Sequence, residues 1–381
     1  MRIPIVTFFI FIACLISAMA QATVLPEDRA DVMYHAYDGG GIKVDGPSIL
    51  VRKKATKNLS VSANYYVDKI SSASIDVIAT ASKYAEERKE KTVGVDYLHE
   101  KNILSLSYTQ SDENDFNAKT FNFGVAQDFF GDMTTLSLSF SRGTDDISTV
   151  NGSETFDADR QNYRVGLSQI LTANWLAQAN VEIITDEGLL NNPYRQVRYV
   201  NALDESGQGF SYEKEKYPNT RTSHAYALSS KYYLPYNASL SQNYRYFDDT
   251  WGIKAHTVDL SYAHAYKDNW LFDIHYRYYT QDKADFYSDI FNYSEEFTFR
   301  ARDKELSTFA SQTVGIGFNY TMPLENIRWL EKGGINFYWD YIQFDYDDFR
   351  NVLKSSPESV GEEPLYGFSA NVIRLFVSVW Y

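Results

Sequence analysis

The sequence predicts an all-β fold: a transmembrane, antiparallel, up-and-down barrel of about fourteen strands. Three observations predict it. From residue 58 onward, segments of about 10 to 14 residues alternate apolar and polar side chains, the period-2 pattern of strands. Short and long connections take turns between those segments. The chain ends on one more alternating segment that closes with an aromatic residue, Tyr381.

The first residues read as an address. Arg2 supplies a positive charge, Ile3 to Ile16 is almost wholly apolar, and Ala18-Met19-Ala20 places small residues where a signal peptidase cuts. This pattern predicts a secretory signal peptide over residues 1–20, cleaved before Gln21, with a cut after Ala22 as the alternative. Cys14, the single cysteine, falls inside it. The matured chain therefore has no thiol for a disulfide, an iron–sulfur cluster or a cysteine nucleophile.

Composition narrows the remainder. With 23% charged residues and a mean hydropathy of −0.39 over 381 residues, the chain is too polar for a bundle of membrane helices. Its 31 tyrosines suit sites where an apolar ring meets water, such as the edges of a bilayer. The net charge of −14 and the lack of a basic stripe argue against a nucleic-acid partner.

Residues 21–57 read as a periplasmic segment: a plug, an extra strand near 47–54, or a contact surface for a periplasmic partner. Within it, Asp38-Gly39-Gly40-Gly41 reads as a linker, because the Lys-Ser/Thr ending of a phosphate-binding loop is missing. The barrel is then expected over 58–381. Its strands are expected near 58–69, 91–98, 101–111, 119–129, 133–143, 159–170, 174–186, 222–234, 237–247, 254–266, 269–281, 309–321, 334–346 and 368–381.

Met133 to Ser141 is the clearest case, with Leu136, Leu138 and Phe140 on one face and Ser137, Ser139 and Ser141 on the other. Strands of this length match the roughly 9–11 residues a tilted strand needs to cross a bilayer. The short connections, such as His99-Glu100 and Lys267-Asp268, belong on the periplasmic side. The long ones, above all 187–221, 282–308 and 347–367, belong outside. Because weak strand edges blur the count, twelve and sixteen strands are the alternatives.

Fourteen tilted strands would enclose a backbone cylinder of roughly 14 Å radius. Alternation turns Asp96, Arg164, Glu182, Lys231, Arg245, Asp259, Asp273, Arg277, Asp340 and Arg374 inward. That set balances acids against bases, which favours pairing across the lumen over a single-sign ion filter. The long loop 187–221 is a second candidate for filling the interior. In the segment Asp186 to Arg195, where that loop leaves the wall, Asp186, Glu187, Asn191, Asn192, Tyr194 and Arg195 are the best loop candidates, because loops on a rigid scaffold carry most specificity.

No Gly-x-Ser-x-Gly elbow or His-Glu-x-x-His run appears, and strand parity separates His264 from His275, so neither a catalytic set, a metal site nor a cofactor is expected. Asp345, Asp347 and Asp348 lack the Gly and distal Glu of a calcium loop and read as a solvated loop base. The terminal strand presents Ile373, Leu375, Val377, Val379 and Tyr381 on one face. It resembles the segment that the outer-membrane barrel-assembly machinery recognises. The two partners expected are therefore that machinery and the outer-membrane lipid itself.

Several stretches resemble one bacterial family, catalogued as domain of unknown function 3570. They include Leu25-Pro26-Glu27-Asp28-Arg29-Ala30-Asp31, Ser72-Ala73-Ser74-Ile75-Asp76-Val77 and Gln127-Asp128-Phe129-Phe130-Gly131-Asp132. Further on are Ile184 to Gly188 with Asn191-Asn192-Pro193-Tyr194-Arg195, then Ala301 to Ser307, then Phe344 to Phe349. The resemblance implies an outer-membrane or periplasm-facing β-protein with no established activity. The functional expectation is a conduit or gated channel, or an export component, for a small solute or cofactor. The alternatives are a closed barrel that docks an envelope partner and, last, an outer-membrane hydrolase.

Overall fold

A computed structural model describes residues 24–72, 75, 79, 84–148, 154–204, 207–324, 329–356 and 359–381. The expected signal peptide and the Ser72–Val77 motif, apart from Ser72 and Ile75, lie outside these residues. The chain forms β1 (Arg29–Gly39), β2 (Ile42–Thr56), β3 (Leu59–Ser72), β4 (Tyr84–His99), β5 (Asn102–Asp112), β6 (Phe116–Phe129), β7 (Thr134–Ser148), β8 (Thr155–Thr172) and β9 (Trp175–Gly188). A two-stranded excursion follows, β10 (Gln196–Val200) with β11 (Phe210–Lys214). The wall resumes with β12 (Thr220–Leu234), β13 (Ala238–Asp249), β14 (Lys254–Tyr266), β15 (Trp270–Gln281), β16 (Phe309–Pro323), β17 (Lys332–Arg350) and β18 (Leu365–Trp380). Every wall pair is antiparallel, and β1 pairs with both β2 and β18, so the barrel is closed.

The wall holds sixteen strands, the upper of the expected counts. The two beyond fourteen come from residues read as a periplasmic segment. Residues 29–56 are neither plug nor linker but two wall strands, and the extra strand expected at 47–54 lies within β2. The alternation there is weakened by Gly46-Pro47 inside β2 and by its basic end, Arg52-Lys53-Lys54. Gly40 and Gly41, at φ 58° and 80°, form the two-residue turn between β1 and β2. Two successive positive φ angles match the twist of a tight hairpin, which side chains with a Cβ resist. Sixteen strands at the usual spacing and tilt enclose a backbone cylinder of roughly 16 Å radius.

The outer face is apolar in a band. Val93, Val95, Leu104, Leu106, Val165, Leu228, Val314 and Leu375 are exposed along it. Aromatics flank that band: Tyr97, Trp175, Tyr232, Tyr266 and Trp270 toward the short-turn rim, and Tyr108, Phe121, Tyr226, Tyr278 and Tyr341 toward the long-loop rim. An aliphatic band between aromatic belts is how a barrel meets hydrocarbon and headgroups. The C-terminal strand follows the same rule, with Ile373, Leu375 and Val377 outward. Tyr381 is tied to the far side of the seam, its hydroxyl donating to the Arg52 carbonyl at 3.1 Å while the Lys53 ammonium sits 4.5 Å from the ring centre.

Leu106 lies near the middle of β5 on this face. Replacing it with arginine should cost about 2–4 kcal/mol in a bilayer, the midplane penalty for a lipid-facing charge. Urea unfolding in phospholipid vesicles measures it, with Ser107→Arg on the opposite face expected to cost far less.

Candidate functional site

Sixteen strands leave an interior that side chains alone do not fill, so polar residues facing it must find partners or water. The ten inward candidates all share the strand face opposite the exposed apolar residues, and most lie in bonded sets. Glu182 accepts from Asn162 and from Arg164, each at 2.7 Å, and Arg245 approaches its other oxygen at 3.9 Å. Asp259 pairs with Arg277 and accepts from Asn243 at 3.1 Å. Asp96 accepts from Ser105 at 2.6 Å and stands 4.0 Å from Arg52. Lys231 lies over the ring of Tyr233, 5.7 Å from its centre.

Asp273, Asp340 and Arg374 converge on His275. The imidazole Nδ1 is 3.1 Å from Asp273 and Nε2 is 3.0 Å from Asp340, which Arg374 bonds at 2.9 Å. His275 is on β15 and Asp340 on β17, so they meet across the intervening β16. Gly315 makes that reach available: it is the register partner of both residues. A Cβ there would overlap His275 and Asp340.

The same device recurs on the other side of the seam. His35 on β1 meets Asp68 on β3 at 2.7 Å across β2, where His35 is paired with Gly46. Arg88 on β4 completes the set on Asp68, and Tyr66 bonds the same imidazole nitrogen at 2.9 Å. Since His35 is the register partner of Arg374, the two sets adjoin. They form a polar belt running from β15 through the seam to β4. Sequence reasoning missed His35, Asp68 and Arg88. His35 lay in the segment read as periplasmic, and the other two lay at or beyond the edges of expected strands.

Between Arg52 and Ser139 the inner wall is built from small residues. Ser62, Gly94, Ser105, Ser107, Asn122 and Gly124 line a recess of about 330 Å³ beside Arg52 and Asp96.

The long-loop rim carries a folded cap. Loops 189–219, 282–308 and 351–364 share an apolar core in which Phe210, Trp251, Tyr287, Leu306, Phe349 and Val352 are buried. This core rests on inward-facing aromatics at the ends of the wall strands: Phe309, Tyr346, Phe344 and Phe368. Arg198, on β10, is fully buried and joins all three loops. It bonds Glu363 with both terminal nitrogens, and Asp289 through its carboxylate and its carbonyl. Arg302 adds bonds to the Asp289 carboxylate and carbonyl and to the Arg350 carbonyl. Arg198 carries no sequence signal, whereas Arg302 belongs to the charged run Ala301 to Glu305, which reads from sequence as a loop salt-bridge network.

The six loop candidates divide between wall and cap. Asp186 faces inward and bonds Arg160 at 2.6 Å. Glu187 is the register partner of Thr220 at the end of β9. Asn192 shapes the turn beyond, its side chain accepting from the Tyr194 amide at 2.9 Å and its carbonyl from the Asn191 side chain at 3.4 Å. Tyr194 reaches Asp115 at 2.8 Å, and Arg195 pairs with Asp303. The motif thus ties loops to one another.

The family described as protein of unknown function (DUF3570) matches residues 78–341. The chain belongs to the DUF3570 family. Among solved structures, this DUF3570 member is similar to a bacterial polysaccharide outer membrane secretin, at 9% identity over 93% of this chain and 99% of that one, with a TM-score of 0.50. It is also similar to the CymD monoaromatic hydrocarbon channel (8% identity, 94% and 89% covered, TM-score 0.44) and to Pseudomonas aeruginosa OpdK with vanillate (8%, 93% and 98%, 0.44). At such identities the likeness shows the fold alone, that of an outer-membrane barrel. No curated protein matches the chain.

Two expected outcomes test the geometry of this DUF3570 barrel. Gly315→Ala should separate His275 from Asp340 and cost about 1–3 kcal/mol, the range for overpacking a filled site. Unfolding in detergent with urea reads the loss. The second concerns Glu215, buried in the cap. Burial, then the nearby Asp303, push its carboxyl up to about 7 despite bonds from the Arg302 amide and the Tyr217 hydroxyl. A carboxyl so raised takes up a proton on folding. Its contribution is therefore fullest below the usual 4.5 and is lost as pH rises through about 7. Glu215→Gln should slow proteolysis of the cap above pH 7 and change it little near pH 4.

Proposed function

We propose that the protein is a gated conduit of the outer membrane for a small polar solute or cofactor, with the three-loop cap as its gate. The observation that carries this reading is an open recess in the inner wall where Ser62, Gly94, Ser105, Ser107, Asn122 and Gly124 gather beside Arg52 and Asp96, on a wall whose charges are mostly held in bonded sets. A wall of this kind leaves room for water and solute, whereas a barrel serving only as a stalk has no need of small residues facing its centre. The cap suits a gate because its three loops are joined by one buried cation. Removing Arg198 would leave Glu363 buried without a cation and Asp289 with Arg302 alone, a loss of about 3–5 kcal/mol for breaking such a set.

A secreted precursor, cleavage before Gln21, long loops outside, and recognition of the C-terminal strand by the assembly machinery complete the reading. Only residues before Arg29 then remain to meet a periplasmic partner at the N-terminus, since β1 and β2 are wall. The absence of catalytic motifs supports a non-enzymatic role. A second reading, a closed barrel that docks an envelope partner, is favoured by the exposed Tyr293, Phe297 and Phe299 on the cap.

Single-channel recording in planar bilayers separates the two. Rare or brief openings are expected of the wild type, and Arg198→Ala should raise open probability several-fold. A folded barrel that stays silent with and without Arg198 would overturn the conduit.

A further inference from the structure

We propose that the lumen prefers anionic solutes, small molecules bearing carboxylate or phosphate groups, although the protein as a whole is acidic. The inference rests on the conduit reading and deepens it. Counting charges on the inner face suggests no preference, but exposure separates the two signs. In four arginine–carboxylate pairs of the inner face the base is the more exposed partner. Side-chain exposures are 63% for Arg160 against 10% for Asp186, and 53% for Arg164 against 14% for Glu182. They are 58% for Arg277 against 27% for Asp259, and 43% for Arg374 against 11% for Asp340.

The cause lies in side-chain length and in the acids' wall partners. A short carboxylate stays close to the backbone cylinder, where adjacent strands bond it, as Asn162 does Glu182 and Asn243 does Asp259, while the His275 imidazole stands 3.0 Å from Asp340. The guanidinium, on a longer stem, extends beyond its acid toward the axis. Each pair is thus a radial dipole with its positive end inward, and dipoles of one sense around a low-dielectric cylinder add along the axis. Glu182 also has two cationic neighbours, Arg164 and Arg245. Glu90, beside Arg88 on the same face, is half-buried and does not reverse this sense. Guanidinium donors not used by the wall acid remain free to bond a passing oxyanion, a role suited to carboxylate or phosphate geometry.

Reversal potentials in planar bilayers under a potassium chloride gradient test this, using the Arg198→Ala background if wild-type openings are too rare. Chloride should permeate several-fold better than potassium, and sodium citrate should block the chloride current. The triple variant Arg164→Gln, Arg277→Gln, Arg374→Gln should bring the permeability ratio to unity or below. The matching triple lysine variant, which keeps the charges, should retain most of the preference and serves if the glutamine variant does not fold. A current that is unselective or favours potassium would overturn the anion preference and leave the conduit standing. Silence in both backgrounds would overturn both.

Discussion

A polypeptide in hydrocarbon has nowhere to discharge an unpaired backbone amide or carbonyl, and the rest of this structure depends on that constraint. Closure is its consequence. The pairing of β1 with β18 leaves no edge, and the seam is reinforced where Tyr381 reaches across to Arg52. Closure with sixteen strands then creates a second problem of the same kind. The interior is too wide for side chains to fill as a dry core, and too narrow for polar groups to stand unpartnered against the wall. The bonded sets on the inner face resolve it by satisfying acids laterally, strand to strand.

Lateral satisfaction has a geometric requirement. Neighbouring residues on adjacent strands meet readily, but His35 and Asp68, and His275 and Asp340, are two strands apart. They meet because the strand between offers no side chain at that level. Gly46 and Gly315 are therefore conditions for the belt, and a Cβ at Gly46 would run into the Val67 carbonyl. Alanine does a milder version of this between β9 and β13, where Ala225 and Ala227 lie between Glu182 and Arg245. At the long-loop rim the inner face changes character from bonded charges to aromatics, and there the loops fold down onto it. The cap core is continuous with the wall because Phe309, Tyr346 and Phe368 are wall residues facing inward.

How much of this could be read beforehand follows from what periodicity encodes. Dyad alternation is a local signal, and it located the central strands, from β5 through β9 and β12 through β16, within a few residues of their observed bounds. It also assigned the inward face of Asp96, Glu182, Asp259 and Arg374, since parity fixes the face once a strand is recognised. It is weak at β1 and β2, where Gly46, Pro47 and the basic run interrupt the pattern, so that residues of the wall read as a periplasmic segment. Pairing between distant strands leaves no periodic trace, so neither of the His–Asp contacts across a glycine could be seen. The cap is still less legible. Arg198, Asp289 and Glu363 are far apart in sequence, and nothing local to any of them announces a fully buried guanidinium.

The cap and the wall also handle buried charge in opposite ways, and the difference bears on the gate proposed for the cap. In the wall, the arginines paired with Asp186, Glu182, Asp259 and Asp340 keep one end in water. In the cap, Arg198 and Glu363 are both sealed from solvent. Burial alone would raise the Glu363 carboxyl, but the bonds from Arg198 and Ser355 outweigh it and hold it at about 2. Glu215 goes the other way, held near 7 because its bonds are too few to offset burial and Asp303. One carboxylate thus favours the closed cap above about pH 4.5 and fails as pH falls toward 2, while the other weakens the cap as pH rises through 7. The closed cap is favoured most between these limits. On the gated-conduit reading proposed above, the cap lets go when its few sealed charges lose their partners, whereas the inner-wall arginines, which are already partly hydrated, keep their arrangement.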